Sequence, residues 1–565
     1  MKTPRAQLSM DLGLAFPPEA YAYGQRSSGE THGVVLTKPH VVKLILDLAG
    51  YNPFRDLSAT TLIEPSCGQG AFLEEAVRRL CASRKRLRRS WTSLAGAIRA
   101  FDIDDEHVAR SRAVSEEQLV RGGAEPEIAR QLAEGWVGAA DFLLTPVTRD
   151  ADFVVGNPPY IRIEHLSTQL QAAYRRNFES LYDRADLYVA FIEHGLAQLS
   201  DAGTLAYICA DRWTLNKYGQ RLREIISSRY NVRAYVDLHT ASPFDSEVIA
   251  YPAIFSLGRG DTQAVRVTKL AFATPDECRE AGKALLADEP GPTVDEYRAW
   301  FAGSEPWVLT SPRHLRVLRE LEERYPPLEE SGATKVSIGV ATGNDKIFIV
   351  DAEADIERDR LVPLVMRADI SNGTIHDAGR FVINTFEEGA GTVDLANFPR
   401  LARYFRKNAE EVAKRHVAKK NPRSWFRTID RVYPELVERP KLLIPDIAGS
   451  LQVGYDEGRF HPHHNLYYIV SGGWDPEVLG GLISSKVALF FIWSYAVRMR
   501  GGYLRFQAQY LRRIRVPRPD MLSEQLTDEL RTAFRKRDFA RLDALALDAY
   551  ELPKLPDFDF VDTRT

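Results

Sequence analysis

The chain has little cysteine: four residues in 565, at positions 67, 81, 209 and 278, with no C-x-x-C pair among them. That excludes a disulfide framework and a cysteine-rich zinc module, and it makes a reducing cytoplasm the expected location. There is no signal peptide and no run of about 18 apolar residues, so no membrane partner is expected. Nor is one sign of charge in excess: 74 Lys and Arg against 77 Asp and Glu leave a net charge of −3, which excludes a uniformly basic nucleic-acid coat. Two phosphate-binding patterns are also missing. No Walker pattern occurs, and in Gly68-Gln69-Gly70-Ala71-Phe72-Leu73 a leucine stands where a dinucleotide site packs its third glycine, which disfavours a pyrophosphate ligand.

The length implies two or three domains, and a hydrophobic content of 44% is ample for buried cores. The most informative stretch runs from Asp152 through Phe153-Val154-Val155-Gly156 to Asn157-Pro158-Pro159-Tyr160, an apolar strand ending in a rigid turn. Asn157 offers a side-chain oxygen as acceptor, and consecutive prolines fix the direction of the Pro158 carbonyl. Two acceptors hold one amino group, and Tyr160 supplies a flat face beside it, so the turn describes a pocket for a planar amine. Adenine, cytosine and a glutamine amide all satisfy that description.

Upstream, Thr61-Leu62-Ile63-Glu64-Pro65-Ser66-Cys67-Gly68-Gln69-Gly70 reads as a short strand and a glycine turn, followed by a helix through Glu74-Glu75-Ala76-Val77. In an open α/β sheet this is where a nucleotide-like cofactor lies. A second strand ends at Asp102, placed for ribose hydroxyls, with Asp104 suited to cap the next helix. A third segment ends at Asp141-Phe142, an acid for an adenine amino group and a ring to pack on it.

The order Thr37, Glu64-Pro65-x-x-Gly68-x-Gly70, Asp102, Asp141, Asn157-Pro158-Pro159-Tyr160 resembles the S-adenosylmethionine-dependent DNA adenine-N6 methyltransferases of the TaqI-like type, over about Thr31 to Pro517. The resemblance implies a Rossmann-like class I methyltransferase α/β sheet with helices on both faces, and a C-terminal mixed α/β target-recognition domain. It implies S-adenosyl-L-methionine as cofactor, held by Thr37, Glu64, Gly68, Gly70, Asp102, Asp141 and Phe142. Asn157, Pro158 and Tyr160 would be catalytic, with Phe244 in Pro243-Phe244-Asp245-Ser246-Glu247 facing a flipped base from the side opposite Tyr160. Double-stranded DNA is the implied substrate. A cognate restriction endonuclease or defence-system partner is expected to be a separate chain, because only about thirty residues precede the first cofactor motif. Rival readings are a DNA cytosine-N4 methyltransferase, in which a Ser-Pro-Pro turn is more usual, a protein glutamine methyltransferase, and a catalytically silent DNA-binding defence component.

The expected boundaries are an N-terminal extension over 1–30, a catalytic domain over 31–260, a connecting region over 261–331 opened by Gly258-Arg259-Gly260, a specificity domain over 332–520 and a helical tail over 521–565. For DNA contact the basic residues interleaved with aromatics are favoured: Lys419, Lys420, Arg423 and Arg427 in one cluster, Arg500 and Arg505 in another. The cluster Arg84-Lys85-Arg86-Leu87-Arg88-Arg89 reads as a solvated helix face. His461-Pro462-His463-His464 has no carboxylate or cysteine at ligand spacing, so no metal site is expected there.

Overall fold

The computed structural model describes residues 15–17, 20–21, 35–246, 251–260, 264–297, 300–308, 310–387, 389, 391–448, 453–496 and 504–558. It divides into two compact units, Met1–Val308 and Leu309–Thr565.

In the first unit short apolar runs form β1 (Leu62–Glu64), β2 (Ile98–Asp102), β3 (Val137–Ala139), β4 (Ala151–Gly156), β5 (Leu199–Ala210), β6 (Asn231–Asp237) and β7 (Pro252–Gly258). With β8 (Val265–Lys269) and β9 (Asp295–Tyr297) they make one nine-stranded sheet in the order β3-β2-β1-β4-β5-β7-β6-β8-β9. β1 to β5 are parallel, and β7 runs antiparallel between β5 and β6. The central strands read as continuous apolar runs because both faces are covered. On one face α1 (Pro39–Ala49) and α2 (Ala71–Leu87) share a core with Leu62, Phe153, Val155 and Ala206. On the other lies α6 (Tyr188–Gln198), the sixth helix in chain order after α3 (Asp105–Arg121), α4 (Pro126–Trp136) and α5 (Thr168–Asn177). A Cβ on Gly195 of α6 would come within 2.7 Å of Leu205, so only glycine lets the helix approach so closely. This is the expected α/β sheet with helices on both faces.

The chain winds outward from β1 to β3 and returns to β4 beside β1, so the order reverses between β1 and β4. Ligands of such sheets bind at this reversal, outside the carboxyl ends of the strands. Glu64, Asp102, Asp141 and Asn157 lie at or just past the ends of β1, β2, β3 and β4 in turn.

The region expected to connect two domains differs. β8 pairs parallel with β6, β9 pairs with β8, and α8 (Pro275–Leu286), the next helix after α7 (Gln220–Arg229), packs on α1, so residues 265–297 extend the first unit's sheet. The Gly258–Gly260 turn changes strand within the sheet; it does not end the domain. Thr274 and Glu277 close a reciprocal capping box that fixes where α8 starts.

In the second unit Thr334–Ile338, Leu466–Ser471, Lys441–Pro445 and Gly454–Asp456 form an antiparallel sheet. Ile349–Val350, Phe381–Ile383, Leu361–Val365 and His461–Pro462 form a second, mixed sheet, in which His461–Pro462 runs parallel to Leu361–Val365. Thr334–Ile338 and Ile349–Val350, on either side of Gly339–Asn344, thus enter different sheets and do not pair as a hairpin. The apolar helices Pro476–Ile483 and Lys486–Tyr495 are buried beneath Glu524–Lys536 and Phe539–Ala549, so the terminal helices are part of this unit's core. Among the described residues no single helix is long and apolar enough to cross a membrane.

Candidate active site

Asn157 leaves β4 with its amide locked. Nδ2 donates to the Val35 carbonyl at 3.1 Å and to Thr37 Oγ1 at 3.3 Å. A carbonyl can only accept, so the nitrogen must face Val35 and the oxygen must face the other way. That oxygen, Oδ1, is buried and has no hydrogen-bond partner. A buried acceptor without a donor costs about 1–3 kcal/mol, and such groups call for a ligand or a water.

The N-terminal motif reaches this point by pairing with the Phe244 loop. Thr37 and Phe244 form an antiparallel bridge, flanked by Lys38 N–H to Pro243 O at 3.0 Å and Asp245 N–H to Leu36 O at 3.0 Å. Asn157, Thr37, Tyr160 and Phe244 are therefore assembled at one place, with Pro158 buried beside them. The Tyr160 and Phe244 rings stand 6.3 Å apart at 82°, edge to face. A base lying on the Tyr160 face would meet the flat of Phe244 only after one ring turns. The Tyr160 hydroxyl is buried without a partner, and burial pushes its pKa well up, so it stays neutral.

On the other side of the reversal, Gly68 and Gly70 take φ values of 50° and 86°. Asp102 braces this turn: Oδ2 accepts from Gly68 N–H at 2.8 Å, while Oδ1 accepts from Asp104 N–H at 3.0 Å and lies 3.3 Å from His107 Nδ1. Asp104 also caps α3, as its position suggested. Glu64 is 1% exposed, and its Oε2 has no partner. Burial, reinforced by the charge on Asp102, raises the Glu64 pKa well above the usual carboxylate range. Two acids crowded in a poorly solvated crevice favour hydroxyl or cationic ligands.

Asp141 is buried and already engaged, taking Leu143 N–H at 3.0 Å and the hydroxyls of Tyr174 at 2.7 Å and Tyr21 at 3.2 Å. Burial raises its pKa despite these donors. Phe142 packs inside the core, stacked on Phe191 at 5.8 Å and meeting His194 edge-on at 4.7 Å. Sequence reasoning missed several neighbours. The Tyr188 and Tyr218 hydroxyls lie 2.6 Å apart and within 3.2 and 3.1 Å of Asp186 Oδ2, one donating to the other and the second to the carboxylate, a buried brace whose Tyr188 ring is 6.1 Å from that of Tyr160. Tyr21, Tyr174 and His107 carried no motif; only the folded chain brings them to Asp141 and Asp102.

In the second unit the basic residues separate into two kinds. Lys419, Lys420 and Arg423 are exposed, whereas Arg427 is half-buried, bonding the Thr428 and Ile429 carbonyls with its guanidinium 5.2 Å from the Phe386 ring. Arg500 lies outside the described residues, and for Arg505 only the backbone, paired with Ile447, is described. A separate cleft of about 910 Å³ is lined by Lys335, Arg431, Arg439, Gln507, Gln509 and Arg512, among others. In the first unit Arg84 sits 3.6 Å over Trp91 and Arg86 caps the Phe54 carbonyl, consistent with a structural cluster.

Comparison with known proteins accounts for both units. Residues 109–244 match the model of the Eco57I restriction-modification methylase, and residues 398–516 match the TaqI-like C-terminal specificity domain. The chain is 44% identical to the Type II methyltransferase M.BstVI of Geobacillus stearothermophilus over 93% of its own length and 96% of that protein's. It is 43% identical to the Type II methyltransferase M.PaeR7I of Pseudomonas aeruginosa, covering 90% of each. Among solved structures, the Type IIL restriction-modification enzyme MmeI, determined in complex with DNA, has the same fold, with a TM-score of 0.59 at 12% identity, over 92% of this chain and 74% of that one. With a class I methyltransferase sheet, an Eco57I-type methylase region and a TaqI-like specificity domain, the chain belongs to the Type II methyltransferases of restriction-modification systems.

Proposed function

We propose that the protein methylates N6 of an adenine flipped out of duplex DNA, using S-adenosyl-L-methionine, in the cytoplasm and alongside a separate cognate endonuclease. The observation that carries this reading is the buried, unpartnered Oδ1 of Asn157, held in place by Val35 and Thr37. The residues at the strand ends suit the cofactor: Glu64 has a spare buried oxygen, and the turn through Gly68 and Gly70 leaves open space at Gly68, where a Cβ would touch nothing within 4 Å. The cofactor supplies a methyl group on a positively charged sulfur.

The exocyclic amine of adenine is a weak nucleophile because its lone pair is delocalised into the ring. Asn157 Oδ1 and the Pro158 carbonyl accept its two N–H groups, favouring a pyramidal nitrogen and stabilising the positive charge that grows as the N–C bond forms and the C–S bond breaks. The nitrogen then loses its proton to solvent. Tyr160 supports the base by stacking, which offsets part of the few kcal/mol that flipping costs. No covalent intermediate on the enzyme is needed, which agrees with four buried cysteines whose thiols are raised by burial wherever the site touches them, as at Cys67. Exposed Lys419, Lys420 and Arg423 and the cleft of the second unit support DNA as the substrate.

The test is incubation of the purified chain with duplex DNA and labelled cofactor, followed by digestion to nucleosides. Label in N6-methyladenine, lost in Asn157→Ala while cofactor binding persists, is the expected result. Label in N4-methylcytosine, or in protein alone, would overturn the proposal.

A further inference from the structure

The cluster His461–His464 has no ligand-spaced acid in sequence, but the fold supplies one. Asp345, from the short helix Asp345–Phe348, meets His463 and His464, and their ligand atoms lie within 4.8 Å of one another; among the described residues no other trio of His, Cys, Asp or Glu does this. His463 Nε2 is 3.1 Å from Asp345 Oδ2 and 3.0 Å from His464 Nδ1. Ligands bonded tetrahedrally to zinc at about 2.0–2.1 Å stand about 3.3 Å apart, close to these separations.

The surroundings hold the three groups in place. Val340 N–H donates to Pro462 O at 2.9 Å and His464 N–H donates to Val340 O at 3.0 Å. A Cβ on Gly339 would lie 2.3 Å from the His463 carbonyl, so glycine is what permits the two segments to touch. Thr342, fully buried, donates to Asp345 Oδ1 at 2.5 Å and so turns Oδ2 toward the histidines. The His463 side chain is 2% exposed and that of Asp345 43% exposed, while His464 faces solvent, leaving an entry path and room for a water.

We propose that Asp345, His463 and His464 bind one divalent transition-metal ion of the zinc class, with water completing the coordination. One carboxylate and two imidazoles suit zinc, cobalt or nickel; calcium and magnesium require more oxygen ligands. Hydrogen bonding alone serves the trio poorly: a proton on His463 Nε2 is divided between the carboxylate and His464 Nδ1, and a proton on His464 Nδ1 leaves the carboxylate facing a bare ring nitrogen. A cation placed between them satisfies all three lone pairs. The ion clamps the Gly339–Phe348 segment to the strand His461–Pro462, beside the cleft that Gly339, Val340 and His461 help to line.

The full chain, without a histidine tag and stripped with chelator, is titrated with Zn²⁺ by calorimetry and with Co²⁺ by visible absorption. Expected are one ion per chain, a higher Tm with zinc, and a loss of affinity of about tenfold or more in both His464→Ala and Asp345→Asn. These two side chains reach solvent, so their variants remain informative even if the buried His463→Ala fails to fold. Absence of stoichiometric binding, or binding that survives either substitution, overturns the proposal.

Discussion

At Asn157 the chemistry rests on which end of the amide faces the ligand. The Val35 carbonyl decides it, and this yields a prediction that separates orientation from mere polarity. In Asn157→Asp an oxygen replaces Nδ2, 3.1 Å from a carbonyl oxygen. As a carboxylate it is repelled; protonated, it donates to Val35 as the amide did. Facing a carbonyl disfavours the charged form and raises the acid's pKa above the ordinary value of about 3.9. The variant should therefore be at least about tenfold weaker than the native protein at neutral pH, with the deficit narrowing as pH falls. A pH-independent ratio of the two rates would show that Val35 does not orient the group. Tyr160 offers the complementary case. Its hydroxyl has no partner, so Tyr160→Phe should methylate nearly as well as the native protein. Tyr160→Ala should lose the stacking energy of about 1–3 kcal/mol, a fall of about 5- to 150-fold in kcat/KM. Equal losses in both variants would instead assign the hydroxyl a role.

Among the elements, the turn joining β1 to α2 is the most constrained. Gly70 has φ of 86°, and a Cβ there would lie 3.3 Å from both Ser111 Oγ and Val114 Cβ of α3. Gly70→Ala should cost about 1–2 kcal/mol from backbone conformation alone, read as a lower denaturation midpoint, and it should weaken cofactor binding with it. Unchanged stability would mean that the turn accommodates a side chain by moving. This turn was legible in sequence because its glycines, the acids after it and the prolines at Asn157 each announce a strand end locally. The extension β8-α8-β9 was not legible as part of the sheet. A glycine-bearing turn looks the same whether the next strand joins the old sheet or founds a new one. The second unit was harder still, since Thr334–Ile338 pairs with Leu466–Ser471 across more than a hundred intervening residues. Asp345 meets His463 for the same reason, and no local spacing reveals it.

For the molecule as a whole, two compact units imply two separable choices: which atom is methylated and in which sequence it lies. The acceptors for the amine belong to the first unit, and the cleft with its amides and guanidinium groups belongs to the second. At that cleft Gln509 Nε2 donates to Gln507 Oε1 at 3.1 Å. That bond leaves Gln507 Nε2 as a donor and Gln509 Oε1 as an acceptor, the two functions that N7 and the N6 amino group of adenine call for in the major groove. Replacing both glutamines by alanine should leave the methylated atom unchanged and relax the target sequence at one position. The preference there should fall by the 1–3 kcal/mol that a bidentate base contact supplies, about 5- to 150-fold. Mapping modified bases on single molecules of genomic DNA reads both quantities at once, because each methyl mark reports its base and its sequence context together. Loss of all methylation with the fold intact would place these glutamines in general DNA binding. An unchanged motif would move the reading surface elsewhere in the second unit, and a change in the methylated base itself would mean that the two choices are not divided between the units.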